Sequence, residues 1–226
     1  MFTERIQHNN RGQTLLEVII AISVIIAGVL GTVTLIASSV KAGRAASDRL
    51  TAVNLAREAM EIVRNMRDSN WISVPPEAWN QGLYDDVSGK IAVPYIHDTL
   101  LTSPMKLAFD VTDGSSSAAF TQQASNGRRW SQVNYINGRY TQGLDVAPTG
   151  GTKFSRVIFF DTICWQLDAG VYLETIDSGT PNTSANDCLA PSTIEAGTQI
   201  RVEVRWPGTS STDQKVVLTD RLYAWR

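Results

Sequence analysis

Histidine is nearly absent from this 226-residue chain, which holds only His8 and His97. No G-x-S-x-G, H-E-x-x-H or C-x-x-C pattern occurs, so neither a hydrolase elbow, a zincin helix nor a paired-thiol centre is encoded. The expectation is a non-enzymatic protein that needs no cofactor. A large excess of either charge is missing too: 20 Lys and Arg stand against 22 Asp and Glu, and from Ile72 to Arg226 the balance is mildly acidic, 12 against 16. Bulk electrostatics therefore do not indicate a nucleic-acid partner. Proline is absent before Pro75, and Gly43 is the only glycine between Gly31 and Gly82. Nothing in that stretch interrupts a helix. The cysteines are two, Cys164 and Cys188. In an oxidising compartment they read as a disulfide, and otherwise as two separate buried thiols.

What the chain has instead is a run of 23 residues, Val18 to Val40, without a charged side chain. About 20 apolar residues suffice for a helix to cross the hydrocarbon core of a bilayer, so the segment 18–40 is expected to lie in a lipid bilayer. The length suits one domain with an anchor. Beyond Val40 the pattern turns amphipathic, with Val53, Ala56, Met60, Val63 and Met66 at three and four spacing. One helix over 13–71 is predicted, its second half laid on something apolar. At ~1.5 Å per residue it would be ~85 Å long, far more than a bilayer's thickness. The opposite face carries Arg57, Glu58, Glu61, Arg64 and Asp68, where Arg64 can pair weakly with Glu61 and Asp68 on a solvated surface.

The remainder, 72–226, reads as a β-rich head, which makes the fold class α+β with an antiparallel sheet. Gln199 to Trp206 alternates, with Ile200, Val202, Val204 and Trp206 on one face and Arg201, Glu203 and Arg205 on the other. Pro207-Gly208 turns it towards Lys215 to Tyr223 in a hairpin. Lys153 to Gln166 is a long strand candidate, and Asn137-Gly138 joins Val133 to Ile136 with Arg139 to Gln142. Ser73 to Arg129 offers few regular signals and is read as loops. Asp177-Ser178-Gly179-Thr180 and Gly150 to Lys153 read as turns, and Asp110 to Ser115 has too few alternating carboxylates for a calcium loop; no metal site is expected. Asn182-Thr183-Ser184 is a formal glycosylation sequon. Trp71, Trp79 and Trp130 are expected in the core rather than on a binding surface.

The order of features at the N-terminus departs from a secretory signal, in which the small residue follows the apolar run. Here Gly12 precedes it, after a short polar leader with Arg5 and Arg11, and Gln13-Thr14-Leu15-Leu16-Glu17 leads into the span. An acidic residue at the edge of a membrane helix needs a partner or a route to the interface. This arrangement resembles the cleavage and methylation signature of type IV prepilins and type II secretion pseudopilins. The resemblance implies a leader over 1–12, cut after Gly12 by a prepilin peptidase, with the amine of Gln13 newly exposed. Gln13 stands where that family usually has an aromatic residue. Glu17 becomes the fifth residue after the cut, the position whose carboxylate is thought to meet the N-terminal amine of a neighbouring subunit. The valine-rich C-terminal hairpin is similar to that of minor pilins.

The implied role is that of a structural subunit, minor pilin or pseudopilin, of a type IV pilus-like filament. Its partners would be other pilin subunits and an inner-membrane assembly machinery. Lys41, Arg44 and Arg49 balance Arg5 and Arg11 across the span, so the placement of the leader in the cytoplasm and the head outside rests on the resemblance. Two alternatives remain open: a tip adhesin or DNA-uptake subunit of such a filament, and a bitopic membrane protein with a prepilin-like start. Mass spectrometry of protein from its own host should find Gln13 at the N-terminus; a chain still beginning at Met1 contradicts processing after Gly12.

Overall fold

The computed structural model describes residues 13–75, 77–83, 91–95, 106–109, 131–136, 138–142, 151–168, 171–177, 188, 193–208 and 212–224. These form an α+β fold, one long helix α1 (Gln13–Ile72) and an antiparallel sheet of eight strands. The strands are β1 (Ile91–Tyr95), β2 (Lys106–Phe109), β3 (Gln132–Ile136), β4 (Arg139–Thr141), β5 (Gly151–Asp168), β6 (Val171–Asp177), β7 (Thr193–Trp206) and β8 (Gln214–Tyr223). The chain divides into two compact units at Asp48 and Arg49.

In the first unit the described residues are helical throughout, and every side chain from Thr14 to Ser47 is exposed. This helix is long and apolar enough to cross a membrane. Four of its hydroxyls bond to the helix backbone. Ser23 donates to the carbonyl of Ile19, Thr32 to Val29, Thr34 to Gly31 and Ser38 to Leu35, at 2.7 to 2.8 Å. These four hydroxyls are thus satisfied inside the helix, the condition for tolerance in hydrocarbon.

In the second unit the remaining turns of α1 pack on the sheet through Ala52, Leu55, Ala56, Ala59, Met60 and Val63, all buried. The stripe is centred slightly away from the expected one: Val53 and Met66 are only half-buried. Three alanines on this stripe let the helix backbone come close to the strands beneath. Facing it are Phe154, Ile158 and Phe160 of β5, Ile200, Val202, Val204 and Trp206 of β7, and Leu222 of β8. Half-buried Trp79 packs against this core, whereas Trp71 lies under the Arg67 guanidinium at 4.9 Å. Trp130 lies outside the described residues.

β5 is the organising strand. One flank pairs with β7 from Ser155 to Gln166, and β7 pairs in turn with β8 over ten consecutive positions, Gly197↔Tyr223 to Trp206↔Gln214. The other flank is shared in succession by β3, β1 and β6. Its run Val157-Ile158-Phe159-Phe160 is buried on both faces, because Val157 and Phe159 join Ile91 and Val93 in a smaller cluster opposite α1. Gly197 sits where the β5 and β7 register shifts; a Cβ there would come within 2.2 Å of the Leu222 carbonyl oxygen. Only glycine fits that approach.

The long C-terminal hairpin and the β3–β4 hairpin form as expected, the latter turning through Gly138 at φ 82°. Two expectations are corrected. Ser73 to Arg129 is not only loops, since it contributes the β1–β2 pair. Pro94 obscured β1, and the ladder to β5 accommodates it by stopping at Ala92. Asp177 closes strand β6 instead of belonging wholly to a turn.

Cys164, at the register shift on β5, is bonded to Cys188, with 5.6 Å between Cα atoms. Thr193 donates to the Cys188 carbonyl at 2.7 Å, so the bridge is anchored on the first residue of β7. Closing a loop with separation 24 is worth ~3.5 kcal/mol in the chain-entropy model. Reduction should therefore lower the unfolding free energy of the purified protein, read from denaturant titration, by an amount of that order; an unchanged free energy contradicts a stabilising bridge.

Candidate functional site

The sequence-derived site residues occupy two regions. Gln13 is the first residue of α1 and Glu17 is exposed on its second turn. Gly12, Arg5 and Arg11 lie outside the described residues, as do His97 and Asn182. Among the described residues no ion pair engages Glu17, and from Val18 to Val40 no other charge shares its helix. Cys164 and Cys188 lie on the head and form the disulfide already described. Among the described residues there is no group of metal-ligating side chains.

Chemically, the first region can do one thing. A carboxylate beside an uncharged helix surface accepts a cation or a hydrogen-bond donor, and the apolar surface accepts lipid or another helix.

The helix–sheet seam in the second unit carries a polar network that the residue pattern did not reveal as a pair. Arg156 is fully buried on β5, facing α1. Its Nε donates to Gln142 Oε1 at 2.8 Å, and its Nη1 donates to the Leu55 carbonyl and to Glu58 Oε2, both at 2.9 Å. Gln142 Nε2 in turn donates to the carbonyls of Ser131 and Arg156, at 2.7 and 2.8 Å. Burial pushes the Arg156 guanidinium down from its ordinary value while Glu58 opposes the shift, and a guanidinium stays charged in proteins. The network joins α1, β5 and the β4 end at one point.

A second contact lies nearer the sheet edge. Arg64 donates through Nε and Nη2 to Asp220 Oδ2 on β8, at 3.1 and 2.6 Å, and also pairs with Glu61. These bonds to Asp220 raise the Arg64 pKa above its ordinary value. The expected pairing of Arg64 with Asp68 is replaced: Asp68 pairs with Arg67 at 2.8 Å. The charged face of α1 is thus not simply solvated, because Glu58 and Arg64 each reach a strand.

Sequence reasoning passed over Arg156, although its signal was present. In Phe154-Ser155-Arg156-Val157-Ile158-Phe159-Phe160 it is the one charged residue on the parity of Phe154, Ile158 and Phe160, the face turned to the helix. Glu203 is corrected too: it lies on the polar face of β7, yet it is buried beneath Arg205 at 2.7 Å, Lys215 at 3.8 Å and Arg201 at 4.0 Å.

Removing one partner of a buried pair strands the other. Glu58→Ala should lower stability by ~2 to 3 kcal/mol, near the low end because Glu58 is partly solvated, and adding Arg156→Met should restore most of the loss. Denaturation of the full chain checks this. Strictly additive losses in the double variant contradict the coupling.

No family model, no curated protein and no solved structure matches this chain.

Proposed function

We propose that the chain is a structural subunit, a minor pilin or pseudopilin, of a type IV pilus-like filament. It is made as a prepilin and processed after Gly12 by a prepilin peptidase. The apolar half of α1 then holds it in the cytoplasmic membrane, with the head on the extracytoplasmic side. The inner-membrane assembly machinery transfers it into a filament of other pilin subunits, periplasmic or extracellular.

The observation that carries this reading is one continuous helix with two solvation regimes. From Thr14 to Ser47 all its side chains are exposed, whereas from Ala52 onward it is half-buried on a sheet. An apolar stretch without cover inside its own chain needs cover from outside, and a bilayer followed by neighbouring helices supplies it twice. The placement of Gly12 before that stretch supports retention of the helix after cleavage, since a cut there removes only the leader. Glu17 supports register. A new amine on Gln13 and a carboxylate four residues further neutralise each other between subunits only when the helices stack in one axial position.

If Glu17 only reaches the membrane interface, Glu17→Leu removes a polar cost and leaves assembly intact. If it pairs with a neighbour's amine, the same change strands that amine, at ~3 to 5 kcal/mol. Glu17→Leu should therefore insert and be cleaved normally, but its incorporation into sheared filaments should fall severalfold at equal membrane level. Equal incorporation contradicts the pairing.

A further inference from the structure

The uncharged run ends in two cations. From Val18 to Ser47 the only charged residues are Lys41 and Arg44. Both are exposed, and among the described residues neither has an ion pair. The next charges along the helix, Asp48 and Arg49, are adjacent and of opposite sign, so the positive surplus stands where the apolar stretch stops. Three residues apart, Lys41 and Arg44 share one helix face. Between Val40 and Ser47 the other residues are Ala42, Gly43, Ala45 and Ala46, all exposed, and a Cβ at Gly43 would meet nothing within 4 Å. No bulky side chain among them screens the two cations.

Length sets their depth. Glu17 and Lys41 stand 24 residues apart, which is ~36 Å of helix at ~1.5 Å per residue, against a hydrocarbon core of ~30 Å. With Glu17 at one interface, Lys41 reaches the headgroup level of the other, and Arg44 lies ~4.5 Å further along the axis. Membrane helices commonly hold their depth through Trp or Tyr at the interfaces. α1 has no aromatic residue from Gln13 to Asn70. On the side that leads to the head, the anchoring groups at this level are Lys41 and Arg44, whose stems can follow apolar surface while their charges extend outward. A guanidinium meets a phosphate through parallel hydrogen bonds, and an ammonium meets it as a point charge.

We propose that Lys41 and Arg44 form a binding site for the phosphate of anionic phospholipids, in the leaflet on the head side of the span. A zwitterionic headgroup brings its own cation to such a site, whereas phosphatidylglycerol brings none, so the anionic lipid is preferred. The contact fixes the depth of α1 at the end where no aromatic belt does so. The site exists only if the apolar half of α1 spans a bilayer, as proposed above, and it names the lipid that meets the helix there.

The test uses the full chain in phosphatidylcholine vesicles that hold equal trace amounts of phosphatidylglycerol and phosphatidylcholine with the same photoactivatable acyl chain. After illumination, adducts of each lipid are counted by mass spectrometry. Phosphatidylglycerol adducts should exceed phosphatidylcholine adducts about fivefold, the effect of roughly 1 kcal/mol for a cation at an anionic headgroup. Lys41→Gln with Arg44→Gln should abolish this preference, Lys41→Arg with Arg44→Lys should keep it, and Arg57→Gln should leave it unchanged. Equal adduct yields in the wild type overturn the proposal and leave the spanning helix intact. A preference that survives the double Gln variant, or that is lost in the charge-conserving variant or in Arg57→Gln, overturns it as well. Inorganic phosphate that removes the preference when chloride at equal ionic strength does not assigns the site to a free anion, and also overturns it. Absence of adducts with either lipid puts α1 outside the bilayer and overturns both this site and the membrane reading.

Discussion

A helix that its own chain leaves uncovered is the constraint on which the rest of this structure depends. The fifteen large apolar side chains from Leu15 to Val40 are each more than half exposed. At ~1.5 kcal/mol or more for each such side chain taken out of water, their burial is worth on the order of 20 kcal/mol. A domain is typically stable by only ~5 to 15 kcal/mol. Whatever covers this surface therefore dominates the energetics of the molecule.

The transition between the two regimes occurs within one helix, without proline and with Gly43 as its only nearby glycine. It is made by composition. Leucine, isoleucine and valine surround the helix up to Val40, whereas from Ala52 the apolar residues contract to one stripe with three alanines, and charged residues occupy the rest. The stripe binds the helix to the sheet, and Arg156 with Glu58 and Arg64 with Asp220 fix its rotation from either side. Buried ion pairs contribute little net stability, but they penalise any other rotation that would strand a charge. The second half of α1 is thereby held on the sheet.

Much of this was legible in the residues. The uncharged run, the helix through Asn70, and the alternation of Ile200, Val202, Val204 and Trp206 each follow from a period that one dominant environment imposes. Where two influences compete, the pattern failed. β1 was hidden because Pro94 breaks the strand signal and only register places it beyond the β5 ladder. β6 was hidden because its polar end runs into turn residues. Arg156 and Glu203 were missed for a shared reason: a charge in a strand reads as solvent-facing until the residue across the interface is known, and Glu58 is 98 positions away from Arg156. Glu17 differs again, since no residue of its own helix from Val18 to Val40 could neutralise it.

The account turns on what covers the apolar half of α1, and a photo-crosslinking side chain at Ile26, in the middle of the span, reads that directly. In the membrane fraction it should capture lipid. In sheared filaments the same position should capture the N-terminal helix of a neighbouring subunit. Capture of lipid alone in both fractions, with no subunit adduct from filaments, would contradict the passage of this helix from bilayer to filament core.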